Sequence, residues 1–264
     1  MVHGGNGANT ITTEAGNDTV YSGVDADTIT TGEGDDTIHI TGGTDTIAAG
    51  AGNDTLIVDF SPIGADITIG RSASLVNIEL AGDGDAGYAG NISGLGIATF
   101  AGVENFEITS GSFNDTITTG DGNDVVHAGA GSDIVNLGGG DDEAIYTMAA
   151  NYGAYDVYEG GAGVDTLTLE FTEEEWNNIP LIQTEIVRYQ DHLVNDSSDP
   201  FLFASGLKVS DFEHLSVRIG DGDATDMTLA PVEGMIIDLT LNFGVGEIFW
   251  NGTSAAAGGN GDDA

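Results

Sequence analysis

The 264-residue sequence contains no cysteine and only 4 lysine plus arginine residues. Without cysteine, the chain cannot form disulfides, use a thiol nucleophile or bind zinc or iron–sulfur clusters through thiolates. The few basic residues are outnumbered by 44 aspartate plus glutamate residues, so the formal net charge is −40. A charge of this sign and size excludes nucleic acid and anionic membranes as direct partners. No apolar run approaches the length of a membrane span, so we expect no membrane insertion.

The sequence also lacks the short motifs that mark common catalytic sites. Its 5 histidines form no H-E-x-x-H motif of a zinc protease, and there is no G-x-S-x-G nucleophile elbow. A phosphate-binding G-x-x-x-x-G-K-S/T loop is absent as well. Carboxylates are so frequent that no pair of them stands out as a general acid and base. We therefore expect the chain not to be an enzyme.

Aspartate recurs at a spacing of nine residues in two parts of the chain, each time in a turn rich in glycine and asparagine. Asn9 takes the aspartate position in the first repeat, and an aliphatic residue stands two places after the acid, as in Asp18-Thr19-Val20. This G-x-G-x-D-x-U-x pattern, with U aliphatic, predicts a calcium-loaded parallel β-helix. The repeated aspartates are Asp18, Asp27, Asp36, Asp45, Asp54, Asp115, Asp124, Asp133 and Asp142.

The two halves of each repeat favour different backbone conformations. Glycine can take positive φ in a tight turn, whereas the threonine and aliphatic residues prefer extended structure. Two nonapeptides then form one coil of 18 residues, in which aliphatic side chains stack inward and carboxylates stack along both edges. Stacked carboxylates repel one another, and a hard cation that takes six to eight oxygens at about 2.3 to 2.6 Å supplies the missing countercharge.

These residues resemble the RTX proteins, whose hemolysin-type calcium-binding repeats form the β-roll. The resemblance is close over residues 4–58 and 111–146, and residues 160–167 form one further repeat around Asp165. It implies that each ion lies between turns one coil apart, held by both acids and by main-chain carbonyls.

The resemblance also implies specific ligands. The implied acid pairs are Asn9 with Asp27, Asp27 with Asp45, Asp18 with Asp36, Asp36 with Asp54, Asp115 with Asp133, and Asp124 with Asp142. The implied carbonyl donors are Gly16, Gly23, Gly32, Gly34, Gly120 and Gly122. Six pairs predict about six Ca²⁺ ions, with one or two more if Asp142 reaches Asp165. Because Asn9 is neutral, the first site is expected to be weaker.

The predicted fold class is mostly β, a parallel β-roll with a smaller α+β module near the C-terminus. We predict a first repeat block over 4–60, a strand-rich connecting segment over 61–110 that continues the solenoid, and a second block over 111–169. The α+β module spans 170–251, with a helix over 172–195 that starts at a capping box and carries apolar residues at helical spacing. Residues 252–264 look like the start of a further, truncated repeat.

The resemblance implies a calcium-binding repeat region of a secreted or cell-surface protein of a Gram-negative bacterium, exported by type I secretion and folded by extracellular calcium. No N-terminal secretory signal is visible. Both ends look cut through repeats, so we expect a piece of a larger protein. Two alternatives stay open: a calcium-dependent adhesin module that binds a glycan or a surface protein, and the non-catalytic tail of a secreted enzyme.

Overall fold

The computed structural model describes residues 1–59, 77–81, 88–93, 97–195, 199–220, 227–229, 239–241 and 248–250. The strands of the first part are β1 (Val2–His3), β2 (Thr10–Thr12), β3 (Thr19–Tyr21), β4 (Thr28–Glu33), β5 (Thr37–Ile40), β6 (Thr44–Ala51), β7 (Thr55–Asp59), β8 (Asn77–Ala81), β9 (Tyr88–Ser93), β10 (Ile97–Val103), β11 (Asn105–Thr109) and β12 (Thr116–Gly120). They are followed by β13 (Val125–His127), β14 (Ile134–Gly139), β15 (Glu143–Thr147), β16 (Asp156–Ala162), β17 (Thr166–Phe171), β18 (Phe201–Leu202), β19 (Leu207–Ser210), β20 (His214–Ile219), β21 (Met227–Leu229), β22 (Leu239–Leu241) and β23 (Ile248–Trp250). The helices are α1 (Glu173–Asn178) and α2 (Pro180–Val194), and a 3₁₀ turn spans Met148–Ala150.

Successive strands of the repeats alternate between two parallel sheets. In one sheet β3, β5 and β7 pair in parallel, so that Val20, Ile38 and Leu56 are aligned. In the other sheet β2, β4 and β6 pair in the same way. Aligned residues are 18 positions apart, so each coil consists of two nonapeptides and contributes one strand to each sheet. The predicted parallel β-roll is confirmed.

The core is a narrow column of aliphatic side chains between the two sheets. The aliphatic position of each repeat is buried, at Ile11, Val20, Ile29, Ile38, Ile47 and Leu56 in the first block and at Ile117, Val126, Val135 and Ala144 in the second. Two buried hydroxyls also face inward, and each donates a hydrogen bond of 2.8 Å to a carbonyl one coil later, from Thr31 to Ala49 and from Thr119 to Leu137. At these two positions the buried hydroxyls are therefore satisfied.

The two repeat blocks share both sheets. Strand β11 pairs with β7 on one side and with β13 on the other, so the first sheet runs from β1 through β3, β5, β7, β11, β13, β15, β17 and β20 to β21. The second sheet passes from β6 to β12 through β10, β9 and β8, in which β9 is antiparallel to both neighbours. The blocks thus form one solenoid. Of the connecting segment predicted over 61–110, residues 61–76, 82–87 and 94–96 lie outside the described residues.

The C-terminal helical region contains two helices where the sequence predicted one helix over 172–195. Thr172 caps α1: its side chain accepts a hydrogen bond from the Glu175 amide at 3.1 Å, and the Glu175 side chain accepts one from the Thr172 amide at 2.8 Å. The break lies at Ile179 (φ −117°, ψ 85°), because the proline at position 180 disfavours a helical conformation in the residue before it.

Helix α2 packs its apolar face against β18 and the segment after it. Tyr189 contacts Phe201 and Phe203, with ring centroids 5.0 and 5.1 Å apart. Strand β20 joins the first sheet beside β17. After residue 220, only β21, β22 and β23 of the predicted module are described, and residues 252–264 lie outside the described residues.

Candidate metal centre

The acids of the repeats form four columns along the edges of the roll, which we call the aspartate ladders. They consist of Asn9, Asp27 and Asp45; Asp18, Asp36 and Asp54; Asp115, Asp133 and Asp156; and Asp124, Asp142 and Asp165. Within a ladder, one carboxylate oxygen (Oδ1) accepts a hydrogen bond from the main-chain amide of the ladder residue one coil earlier. These distances are 2.7 Å from Asn9 to Asp27, 2.9 Å from Asp27 to Asp45, 2.8 Å from Asp18 to Asp36, 2.8 Å from Asp36 to Asp54, 2.8 Å from Asp115 to Asp133 and 2.7 Å from Asp124 to Asp142. The structure therefore brings together every predicted pair, and Asp142 also reaches Asp165 at 3.0 Å.

The second carboxylate oxygen, Oδ2, is the unusual atom of the ladders. In most ladder aspartates it is buried and has no hydrogen-bond partner among the described residues; these are Asp27, Asp36, Asp54, Asp124, Asp133, Asp142, Asp156 and Asp165. A buried carboxylate oxygen without a partner is costly. Calcium prefers hard oxygen donors, carboxylates above all, so this row of oxygens fits the ion.

Burial also changes the acidity of the ladder carboxyls. It raises the pKa of Asp133 to about 8 and that of Asp142 to about 7, and neighbouring ladder carboxylates add to the shift. It raises the pKa values of Asp45, Asp54 and Asp124 to about 6. Without a nearby cation, the protein disfavours the charged form of these groups.

The remaining donors must come from the main chain. Within the part of the chain that the structure describes, no three His, Cys, Asp or Glu side chains come together closely enough to hold an ion. Two carboxylates alone leave the coordination of calcium incomplete, so carbonyls of the turns have to contribute.

Most of the glycines predicted to supply these carbonyls lie in the turns between strands, whereas Gly32 and Gly120 lie at the C-terminal ends of β4 and β12. Gly16, Gly23, Gly32, Gly34 and Gly120 have left-handed φ values between 115° and 123°. The carbonyls of Gly32, Gly34, Gly120 and Gly122 lie against the glycine one coil later, which leaves no room there for a side chain. The Gly23 carbonyl already accepts a hydrogen bond from the Thr41 hydroxyl at 3.0 Å, which occupies one of its two lone pairs.

The N-terminal end of the ladders differs from the interior. The Asn9 side-chain amide donates a hydrogen bond to the Gly7 carbonyl at 2.5 Å, and the side chain brings no charge. Asp18 is only partly buried. The outermost positions therefore provide less negative charge and less burial than the interior positions.

Asp156 was not among the predicted ligands, yet it continues the ladder of Asp133. The Asp133 amide donates to Asp156 Oδ1 at 2.9 Å, and the two residues are 23 positions apart, as are Asp142 and Asp165. The same insertion of five residues, which includes the 3₁₀ turn, shifts both. The signal was present in the sequence, because Asp156 stands nine residues before Asp165.

Two glutamates also occupy ladder positions that the sequence analysis did not identify. The Asp54 amide donates to Glu104 Oε2 at 2.7 Å, and the Asp165 amide donates to Glu213 Oε2 at 2.8 Å. In each case the glutamate is followed by a polar residue and then an apolar one, as in Glu104-Asn105-Phe106. This local pattern matches the repeat with glutamate in place of aspartate.

Comparison with known families supports the same interpretation. The family model described as the RTX calcium-binding nonapeptide repeat (4 copies) matches residues 3–38, 39–59 and 109–144. The matched residues include the ladder acids from Asn9 to Asp54 and from Asp115 to Asp142. No curated protein matches the chain.

Proposed function

Because this chain carries RTX calcium-binding nonapeptide repeats, we propose that extracellular calcium completes and rigidifies the roll by occupying the aspartate ladders. Calcium binding is the general function of the repeat region, and ordering of the roll on calcium binding is the proposed mechanism. A bound ion supplies the positive charge that two stacked carboxylates lack.

The observation that carries this proposal is that the two oxygens of most ladder carboxylates have different roles. Oδ1 accepts an amide hydrogen bond from the preceding coil, whereas Oδ2 is buried without a hydrogen-bond partner among the described residues, as in Asp54 and Asp142. A carboxylate arranged in this way holds two coils together and keeps one oxygen for a cation. The same arrangement is repeated along both edges of the roll.

Net charge supports the proposal at a larger scale. With a formal net charge of −40, the metal-free chain repels itself, and the repulsion is strongest where carboxylates are stacked. Extracellular calcium modules bind at roughly 10⁻⁴ to 10⁻³ M. An affinity in that range would leave the roll poorly ordered in a low-calcium cytoplasm and ordered outside the cell.

A calcium titration of the chelator-treated chain tests this function. Circular dichroism and bound calcium should be followed together, and we expect a cooperative gain of β signal with about six ions or more per chain. Magnesium serves as the control, because it demands near-octahedral geometry and gives up its water reluctantly. A chain that is fully folded without calcium and binds none would contradict the proposal.

The wider setting is proposed on the same basis. RTX repeats are typical of secreted bacterial proteins, so we propose a secreted or cell-surface location, with export by type I secretion as the route to test. No helix among the described residues is long and apolar enough to cross a membrane. The proposed role is non-catalytic. A glycan or protein ligand and attachment to a secreted enzyme stay hypotheses of the sequence analysis.

A further inference from the structure

Two long segments leave the repeat pattern and return to the aspartate ladders at a glutamate. The first return brings Glu104 onto Asp54, 50 positions earlier, and the second brings Glu213 onto Asp165, 48 positions earlier. Both glutamates lie outside the residues that the repeat family model matches. Among the described residues, these are the only ladder positions at which a glutamate, one methylene longer than aspartate, accepts a hydrogen bond from the amide of the preceding ladder aspartate.

The main chain is built alike at both returns. The Asp54 carbonyl accepts hydrogen bonds from the amides of Glu104 (3.1 Å) and Asn105 (2.9 Å), and the Asp165 carbonyl accepts them from Glu213 (3.0 Å) and His214 (2.9 Å). Two neighbouring amides thus share one carbonyl at each junction. Both segments therefore end in the same main-chain hydrogen-bonding arrangement.

The residue two places before each glutamate has left-handed φ. Gly102 has φ 69°, and Asp211 has φ 57°, the one positive value of a non-glycine residue among those described. Repeat glycines such as Gly34 and Gly52 occupy the same place relative to the ladder aspartate. Each return therefore places a residue with positive φ two positions before its acid, as the calcium-binding repeats do, at the cost of backbone strain in Asp211.

An unpartnered oxygen points to a ligand at each junction. The Asp54 and Asp165 side chains are 0% exposed, and the Oδ2 atom of each lacks a hydrogen-bond partner within the described ranges. Burial, and then the nearby Glu104 charge, raises the pKa of Asp54 to about 6. Burial and the Glu213 charge raise the pKa of Asp165 in the same way. Each junction thus places a glutamate next to a buried aspartate whose Oδ2 has no hydrogen-bond partner among the described residues.

We propose that Glu104 and Glu213 complete two further calcium sites, with Asp54 and Asp165 respectively, which fix the non-repeat segments to the roll. The inference rests on the proposed function and extends it to residues outside the nonapeptides. Calcium at Asp54 and Glu104 secures the return of the chain after β8, β9 and β10. Calcium at Asp165 and Glu213 secures β20 after the two helices, so that ordering of the ladders is passed on to the helical region.

The test compares E104Q and E213Q with the wild-type chain. Glutamine keeps an oxygen that accepts the amide hydrogen bond and removes only the charge, so circular dichroism of the calcium-loaded variants should match the wild type. We expect each variant to bind one calcium ion fewer per chain, and the double variant two fewer, by equilibrium dialysis. E107Q and E174Q are the matched controls, because both side chains are exposed and should leave the number unchanged.

Amide hydrogen exchange gives a second measurement on the same chains. Calcium should slow exchange at the Asp54 amide in wild type and E107Q but much less in E104Q, and E213Q should behave likewise at the Asp165 amide. Unchanged ion numbers and unchanged protection in both glutamine variants would overturn the inference and leave the proposed function intact. If the wild-type chain binds no calcium, both proposals fail together.

Discussion

The ladder aspartates can be compared with a second, exposed column of side chains, which accept amide hydrogen bonds between coils but are not all charged. One position before Asp18, Asp36 and Asp54 lie Asn17, Asp35 and Asn53. Here a side-chain oxygen also accepts an amide hydrogen bond across one coil, from Asp35 to Asn17 at 3.0 Å and from Asn53 to Asp35 at 3.0 Å. In this column asparagine and aspartate alternate freely, so the hydrogen bond does not need a charge. The buried column is aspartate at almost every repeat, which indicates that its charge serves another purpose.

At the residue scale, the turn glycines have two separable roles, which G138A and G7A distinguish. Both residues have left-handed φ, 95° for Gly138 and 89° for Gly7. A Cβ on Gly138 would overlap the Gly120 carbonyl, whereas a Cβ on Gly7 meets nothing within 4 Å. We expect G7A to cost about 1 to 2 kcal/mol of unfolding free energy from the φ strain alone, and G138A to cost about 1 to 3 kcal/mol more from crowding.

Urea unfolding of both calcium-loaded variants measures this difference. Equal destabilisation by the two substitutions would show that the close approach of successive turns contributes nothing, and would contradict the explanation given for Gly138.

At the scale of the element, short strands inside the sheets are viable here because each is paired on both sides by a parallel neighbour. Strands such as β3 and β13 have three residues each, well below what an isolated hairpin needs for stability. Their stability comes from the 18-residue register, which stacks the same aliphatic position in every coil. The helices have no such repetition and depend on local signals, the capping box at Thr172 and the proline at position 180.

The capping box makes a prediction for α1. T172A removes the side-chain acceptor of the Glu175 amide, so we expect the free energy of unfolding to fall by about 1 kcal/mol. Urea unfolding monitored by the fluorescence of Trp176 measures this change. Trp176 is buried in α1 beside Phe171. T184A on the exposed side of α2 is the control and should change stability by less than about 0.5 kcal/mol. A T172A chain as stable as T184A would show that tertiary packing alone holds α1 in place.

At the scale of the whole molecule, the raised pKa values of the ladder carboxyls determine how stability depends on pH. Burial raises the pKa values to about 6 in Asp54, about 7 in Asp142 and about 8 in Asp133, from 3.8 in the unfolded chain. At pH values between 3.8 and these raised pKa values, the folded metal-free state binds more protons than the unfolded state. The stability of the metal-free chain therefore falls as pH rises. We therefore expect the melting temperature in chelator to drop by several degrees from pH 5 to pH 8.

Calcium should reverse this trend. Because protons and calcium compete for the same carboxylates, calcium binds more tightly as pH rises, and the calcium-loaded chain should be at least as stable at pH 8 as at pH 5. Thermal melting in chelator and in excess calcium at both pH values checks the pair of expectations. A metal-free chain that becomes more stable towards pH 8 would mean that the ladder carboxyls are already charged and stabilised without a cation.

The sequence alone determined the repeating part of this protein. A nine-residue period fixes the turn, the strand and the inward aliphatic residue together, so the 18-residue register and the pairing of acids such as Asp36 with Asp54 follow from spacing. Local signals likewise located the capping box at Thr172. Each of these features depends on residues close in sequence or on a strict period, and both are visible in one dimension.

Only the tertiary structure decided what lies where the period fails. Three contacts bridge about fifty positions: β7 with β11, Asp54 with Glu104, and Asp165 with Glu213. The free-energy cost of closing a loop changes little with its length over such distances. Spacing therefore cannot specify which distant acid completes a ladder. Core packing and amide hydrogen bonds select it, and these exist only once the coils are stacked.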